Sequence, residues 1–368
     1  MIKVCHIAEP TTGGVFTHLK QLAGMSKGEI HQTFIMSSVE NPDLATADHF
    51  CGHRLYVIDM AKNIRIRDDF RSLQRLIAHL RHNKYDIVHC HSSKAGALGR
   101  IAAFVTGHRN VVYTPHSFAF LSKVSMVNKL FYLLVEWLLS FISTRIVCVS
   151  EGEREKAKPF IKQSKMTVVN NGIRVNERKP RVGSTEEKIT IGFVGRLTKQ
   201  KNPIVLIETA LLLDKEKFQF VVMGDGEFMV QLKRKIEEYN LQAMFDLRGT
   251  VHNVYDELVK CNLYISTSLW ESTPYSILEA MSVGVPVIAT DIPGVNNIVK
   301  HRVNGFLVPP NDPVALVETI VGITNQGARS QLVEVTEQAY ETIQDRYSED
   351  HMFRSYIRLY QELGGYKE

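Results

Sequence analysis

Short β-branched and apolar runs alternate with helical patterns along the whole chain, and no other feature constrains the fold as much. In the first half the runs are residues 2–8, 33–36, 55–58, 87–90, 111–114 and 146–149. In the second they are 189–194, 218–223, 246–247, 263–265, 285–289 and 306–308. Strands joined through helices pair in parallel, because each helix carries the chain back across the sheet. Each half is therefore expected to form a doubly wound α/β domain. The 368 residues exceed what one hydrophobic core usually serves, which also favours two domains. Residues 174–188 are polar, contain Pro180 and Gly183 and show no apolar period, as a linker would. The expected domains are 1–180 and 181–346, with a helix over 347–368 packing back toward the first. In such sheets ligands sit at the carboxyl ends of strands, so a ligand between two facing domains would meet loops of both.

Composition removes several classes. Hydrophobic residues are 44%, charged residues 23%, and glycine with proline make 35 of 368, unlike disordered or collagenous chains. Five cysteines (Cys5, Cys51, Cys90, Cys148 and Cys261) are far apart with no C-x-x-C pair, so neither a disulfide framework nor a zinc ribbon is indicated, and a reducing compartment fits. The first apolar run is broken by His6 and stopped by Glu9 and Pro10, unlike a secretory signal, and a cytoplasmic protein is expected. The most apolar stretch, residues 130–142, is too short to span a bilayer, which takes roughly 20 residues, and it contains Glu136. It reads as a buried core helix; the alternative is a surface segment that dips into lipid.

Charge is uneven. Residues 1–181 hold 26 Lys/Arg against 14 Asp/Glu, a net +12, whereas 182–368 hold 18 against 25, a net −7. Without aromatic interleaving or a helix-turn-helix pattern, nucleic acid is not an expected partner, and an anionic membrane surface suits the basic half better.

Four groups of residues carry chemistry. Gly13 and Gly14 stand between the first strand and the helix pattern at 15–25, where backbone N–H groups can approach an anion; a tight turn is the competing reading. Arg196 and Lys201 follow the strand at 189–194, positioned to hold a diphosphate and neutralise it on departure. Glu271-Ser-Thr-Pro-Tyr-Ser-Ile-Leu-Glu279 puts one carboxylate in a loop and the other one turn inside a helix starting near Tyr275. Both can accept hydroxyls of ribose or sugar, and the N–H groups of Tyr275 and Ser276 can face a phosphate. His116, in Thr-Pro-His-Ser-Phe, follows the strand at 111–114. His89-Cys90-His91 has the look of a metal site but no spaced Cys/His partners, and D-x-D does not occur, so no metal is expected.

Together, Gly13-Gly14, His116, Arg196 with Lys201, and Glu271 with Glu279 resemble the family-four retaining glycosyltransferases of the GT-B fold, over nearly the whole chain. The stretch from His91 to Thr114-Pro-His-Ser-Phe looks most like bacterial capsule and exopolysaccharide members. The resemblance implies that Arg196 and Lys201 bind the donor's diphosphate, Glu279 its ribose and Glu271 the transferred sugar. It places Gly14 on the phosphate side, Val251 near the base and His116 beside the sugar. It implies a uridine diphosphate sugar as donor substrate with no separate cofactor, and a polyprenyl-linked saccharide as acceptor. Two positions depart from the pattern: Pro274 where many members have glycine, and Asn297 where glutamate is frequent. A sugar-nucleotide epimerase and a non-catalytic sugar-nucleotide-binding subunit are the rival readings. A dinucleotide-dependent oxidoreductase is disfavoured by the missing G-x-G-x-x-G.

Overall fold

The computed structural model describes all residues except 12, 26–29, 40–43, 45–49, 62, 122–123, 176–187, 252 and 366–368. The chain forms two compact units, Met1–Gly172 with Glu349–Glu368, and Ile173–Ser348. The expected junction at 180/181 lies outside the described residues.

The first unit contains strands β1 (Ile2–Ala8), β2 (Ile30–Met36), β3 (Arg54–Val57), β4 (Ile87–His91), β5 (Val111–Thr114), β6 (Arg145–Cys148) and β7 (Met166–Val168). Its helices among the first 172 residues are α1 (Gly13–Gly24), α2 (Ile66–His82), α3 (Ser93–Val105), α4 (Met126–Ser140) and α5 (Glu151–Ala157). All the strands pair in parallel in the order β3-β2-β1-β4-β5-β6-β7. Strand order reverses between β1 and β4, which makes that crevice the topological switch point. Strands covered on both faces read as continuous apolar runs, and in β1 only Lys3 is exposed.

The second unit holds β8 (Ile189–Val194), β9 (Phe218–Met223), β10 (Phe245–Gly249), β11 (Leu263–Ser266), β12 (Val287–Thr290) and β13 (Phe306–Val308). Its helices are α6 (Ile204–Ala210), α7 (Met229–Glu238), α8 (Val254–Leu258), α9 (Tyr275–Ser282), α10 (Pro313–Thr324) and α11 (Arg329–Arg346). The parallel order β10-β9-β8-β11-β12-β13 has its switch point between β8 and β11. A last helix, α12 (Glu349–Gly364), belongs to the first unit. It buries Met352, Tyr356, Leu359 and Tyr360 among Ile2, Val4, Ile87, Val112 and Val147.

The stretch expected to be a buried core helix is not one. In α4, Met126, Val127, Leu130, Phe131, Leu134, Trp137 and Leu138 are exposed, while Glu136, Leu139 and Ser140 face inward. The buried acid is satisfied: Arg100 Nη2 donates to Glu136 Oε2 at 2.9 Å and Tyr113 Oη to Oε1 at 2.7 Å. Arg100 also lies 3.7 Å over the Tyr113 ring. The ion pair therefore anchors α4 from beneath, and most of the helix's apolar side chains stay outside the core. Among the described residues, no helix is long and apolar enough to cross a membrane.

Candidate active site

In the second unit the switch point gathers polar side chains from two loops. The loop after β8 runs through Gly195, Arg196 and Lys201 to Pro203, which opens α6; the loop after β11 carries Ser268 and Glu271 to α9. Lys201 Nζ pairs with Glu271 Oε1 at 2.7 Å, and both side chains are largely buried. Ser268 Oγ donates to Glu271 Oε1 at 2.9 Å, and Gln200 Nε2 to Oε2 at 3.3 Å. Thr267 Oγ1 donates to the carbonyls of Lys201 and Asn202 at 2.8 and 3.0 Å, which ties the two loops together.

Two glycines make this convergence possible. A Cβ on Gly224, at φ 145°, would lie 2.0 Å from the Gly195 carbonyl oxygen, and one on Gly294, at φ 97°, would lie 2.2 Å from that of Glu271. No side chain fits at either distance.

Glu279 lies one turn inside α9, behind Tyr275 and Ser276 at the helix start. Burial pushes its carboxyl up to about 7, against an opposing pull from the Lys201 ammonium. Lys201 thus sits in the field of both glutamates. Arg196 is exposed on the same loop, and Val251, beyond β10, packs against the apolar cluster under α9.

In the first unit, Gly13 and Gly14 open α1, with Gly13 at φ 71°, and His116 follows β5 at φ 54°. Ser117 N donates to Glu153 Oε1 and Val149 N to Glu153 Oε2, both at 2.8 Å, which pins the His116–Ser117 turn. Burial pushes the Glu153 carboxyl up to about 7, opposed by those backbone donors.

Sequence reading missed what surrounds His116. His6 of β1, His18 of α1, and His89 and His91 of β4 are fully buried at the switch point. His116 Nε2 and His91 Nδ1 are 3.1 Å apart, as are His91 Nε2 and His6 Nδ1. The His18 and His116 ring centroids are 4.7 Å apart. His89 reaches the Tyr360 hydroxyl at 2.6 Å and Thr114 Oγ1 at 2.8 Å, and His18 reaches the Tyr356 hydroxyl at 3.3 Å. Burial holds these rings below their ordinary pKa, to about 3 for His6 and His18, and neighbouring imidazoles add to it at His6, His89, His91 and His116. They are neutral at pH 7.

Neutral rings in a chain must agree on their tautomers. In the His6–His91–His116 chain the two contacts therefore run in one direction, either from His116 through His91 to His6 or the reverse. His6/His89/His91 and His18/His91/His116 each have ligand atoms within 4.8 Å and could hold a metal ion. These are the partners that the His89-Cys90-His91 motif lacked in the sequence. The hydrogen bonds the rings already make account for their spacing.

Two doubly wound parallel sheets, each with its polar cluster at a switch point, define the GT-B class of α/β protein. Residues 12–177 match the family described as Glycosyltransferase Family 4, and residues 175–341 match Glycosyl transferases group 1. The Escherichia coli UDP-Gal:alpha-D-GlcNAc-diphosphoundecaprenol alpha-1,3-galactosyltransferase is 35% identical over 287 residues, 73% of this chain and 74% of that one. The capsular polysaccharide biosynthesis glycosyltransferase CapM of Staphylococcus aureus is 26% identical, over 78% of this chain and 79% of that one. The crystal structure of Anabaena HepE in complex with UDP and glucose superposes with a TM-score of 0.83 at 18% identity, covering 98% of this chain and 100% of that one. The chain belongs to the family 4 glycosyltransferases and has the GT-B fold.

Proposed function

We propose that the protein transfers a sugar from a uridine diphosphate donor to a polyprenyl-diphosphate-linked saccharide, with retention and without a metal ion. The reaction would take place at the anionic inner surface of the plasma membrane during surface-polysaccharide assembly. The observation that carries the reading is Lys201, held at 2.7 Å by Glu271 in a loop that also offers Arg196. The galactosyltransferase relative, whose name specifies a UDP-sugar and a diphosphoundecaprenol-linked acceptor, supports the substrate classes.

In this reading Arg196 and Lys201 take the diphosphate, aided by the first N–H groups of α9, and Gly13 and Gly14 keep the phosphate role that the family resemblance gives them. Glu279 accepts the ribose diol, Val251 borders the base, and Glu271 accepts sugar hydroxyls while orienting Lys201. His116 is assigned to the sugar. The bond from the anomeric carbon to the diphosphate oxygen breaks as the acceptor hydroxyl approaches the same face. The acceptor's proton passes to the departing phosphate oxygen. No cofactor is required, and the two cations stabilise the charge that develops on the leaving group.

Proton NMR of the product formed from UDP-sugar and a short-chain polyprenyl-diphosphate acceptor, with excess EDTA present, tests the proposal. A product with the donor's anomeric configuration is expected. An inverted product, or loss of turnover with EDTA, overturns the retaining, metal-independent part. Epimerisation of the donor in the absence of acceptor overturns the transferase assignment.

A further inference from the structure

Among the described residues, none covers the outward face of α4. Val127, Leu130, Phe131, Leu134, Trp137 and Leu138 are between 44% and 77% exposed along one 15-residue helix. We propose that this face enters the headgroup and upper acyl region of an anionic bilayer, with the helix lying along the surface. At 1.5 Å per residue it is about 22 Å long, short of the roughly 30 Å hydrocarbon core.

Charge selects lipid over a second copy of the chain. The one acid of α4, Glu136, points inward and is neutralised by Arg100 at 2.9 Å. The helix's C-terminal carbonyls would oppose anionic headgroups through the negative end of the dipole. Lys165 answers that end, its Nζ donating to the carbonyls of Ser140, Phe141 and Ser143 at 2.8, 3.0 and 2.9 Å. Lys129 is the helix's cation and is exposed. The residues of the first unit, 1–172 with 349–368, hold 25 Lys/Arg against 17 Asp/Glu. Two such units repel one another, whereas each is drawn to phosphatidylglycerol. Trp137 and its edge-on neighbour Phe141, 5.1 Å away, are of the residue type that suits the headgroup boundary.

This inference deepens the membrane-surface part of the proposed function and rests on it for its biological setting, though not for its chemistry. The test is sedimentation of the full chain with vesicles of phosphatidylglycerol and phosphatidylethanolamine, beside phosphatidylcholine vesicles, at low and high salt. The variants are Leu134→Glu with Trp137→Glu, and separately Lys129→Ala. The double variant should lose at least about tenfold in vesicle affinity while its circular dichroism and UDP affinity stay as in the parent. Lys129→Ala should weaken binding to the anionic vesicles alone. Unchanged vesicle binding by the folded double variant overturns the role of α4. So does a parent chain that ignores vesicles, or one that dimerises through this face, with the double variant monomeric in ultracentrifugation. Failure to bind UDP would count against the donor assignment and leave the lipid result standing.

Discussion

Glu271 and Glu279 have the same side chain and different electrostatics, set by what surrounds each. Glu271 is held by Lys201 and Ser268, whereas burial pushes the Glu279 carboxyl up to about 7. A carboxylate accepts two ribose hydroxyls better than a carboxylic acid does, so UDP affinity should rise as pH climbs through about 7. Calorimetry of Glu279→Gln should show that rise abolished and affinity about tenfold lower at pH 8. Arg196→Ala and Lys201→Ala should each lower kcat/KM by about 100-fold or more in a coupled assay, and near-normal values in both would remove their role. His91→Phe takes away the hydrogen-bond partner of His116 Nε2; kcat should fall about tenfold or more with UDP affinity unchanged, a split that mere misfolding would not give. The buried rings also set acid stability. Their folded pKa values lie below the ordinary one, so the unfolded first unit binds more protons, and its stability should drop as pH falls below about 6.5. Glu153, shifted upward, works in the opposite direction, but it is one group against five. The glutamates were legible because one short motif contains both. The histidines that surround His116 were not: a parallel sheet brings residues 6 and 91 to it at one edge, and no spacing rule reaches across 85 positions.

Among the elements, the start of α9 near Tyr275 was readable, because Pro274 and the apolar positions that follow mark it. Phe70, Leu73, Leu76, Ile77 and Leu80 recur at helical spacing, and the segment forms α2, which buries Leu76 and Leu80 while Phe70 stays 59% exposed. The short strand β7 gave no signal in a run of three residues. Helix α4 shows the limit of composition: the same leucines and aromatics serve a core or a bilayer, and only the inward direction of Glu136, fixed by Arg100 and Tyr113, separates the two. The convergence of loops in the second unit depends on backbone contact that no larger residue permits. Gly224→Ala should therefore lower its melting temperature by about 5 °C or more and weaken UDP binding, both read by thermal shift.

At the scale of the molecule, the chain leaves the first unit after Gly172 and re-enters it at Glu349. The doubly wound character of both halves was plain from alternating strands and helices, and a helix packing back toward the first domain was expected at the end. Its partners were not, since Tyr360 meets His89 across 271 positions. Deleting residues 349–368 would remove Met352, Tyr356, Leu359 and Tyr360 from the core. At about 2 kcal/mol or more for each, the loss is comparable with the whole stability of a domain. The truncated chain should keep one cooperative melting transition, that of residues 173–348, and lose the other.

The order of manufacture follows from that re-entry. As the polypeptide emerges from the ribosome, residues 173–348 have all their strands outside before the tyrosines of α12 exist. The segment made first must therefore wait with Ile2, Val4, Ile87, Val112 and Val147 lacking the cover of α12, while the middle of the chain completes its own packing ahead of it.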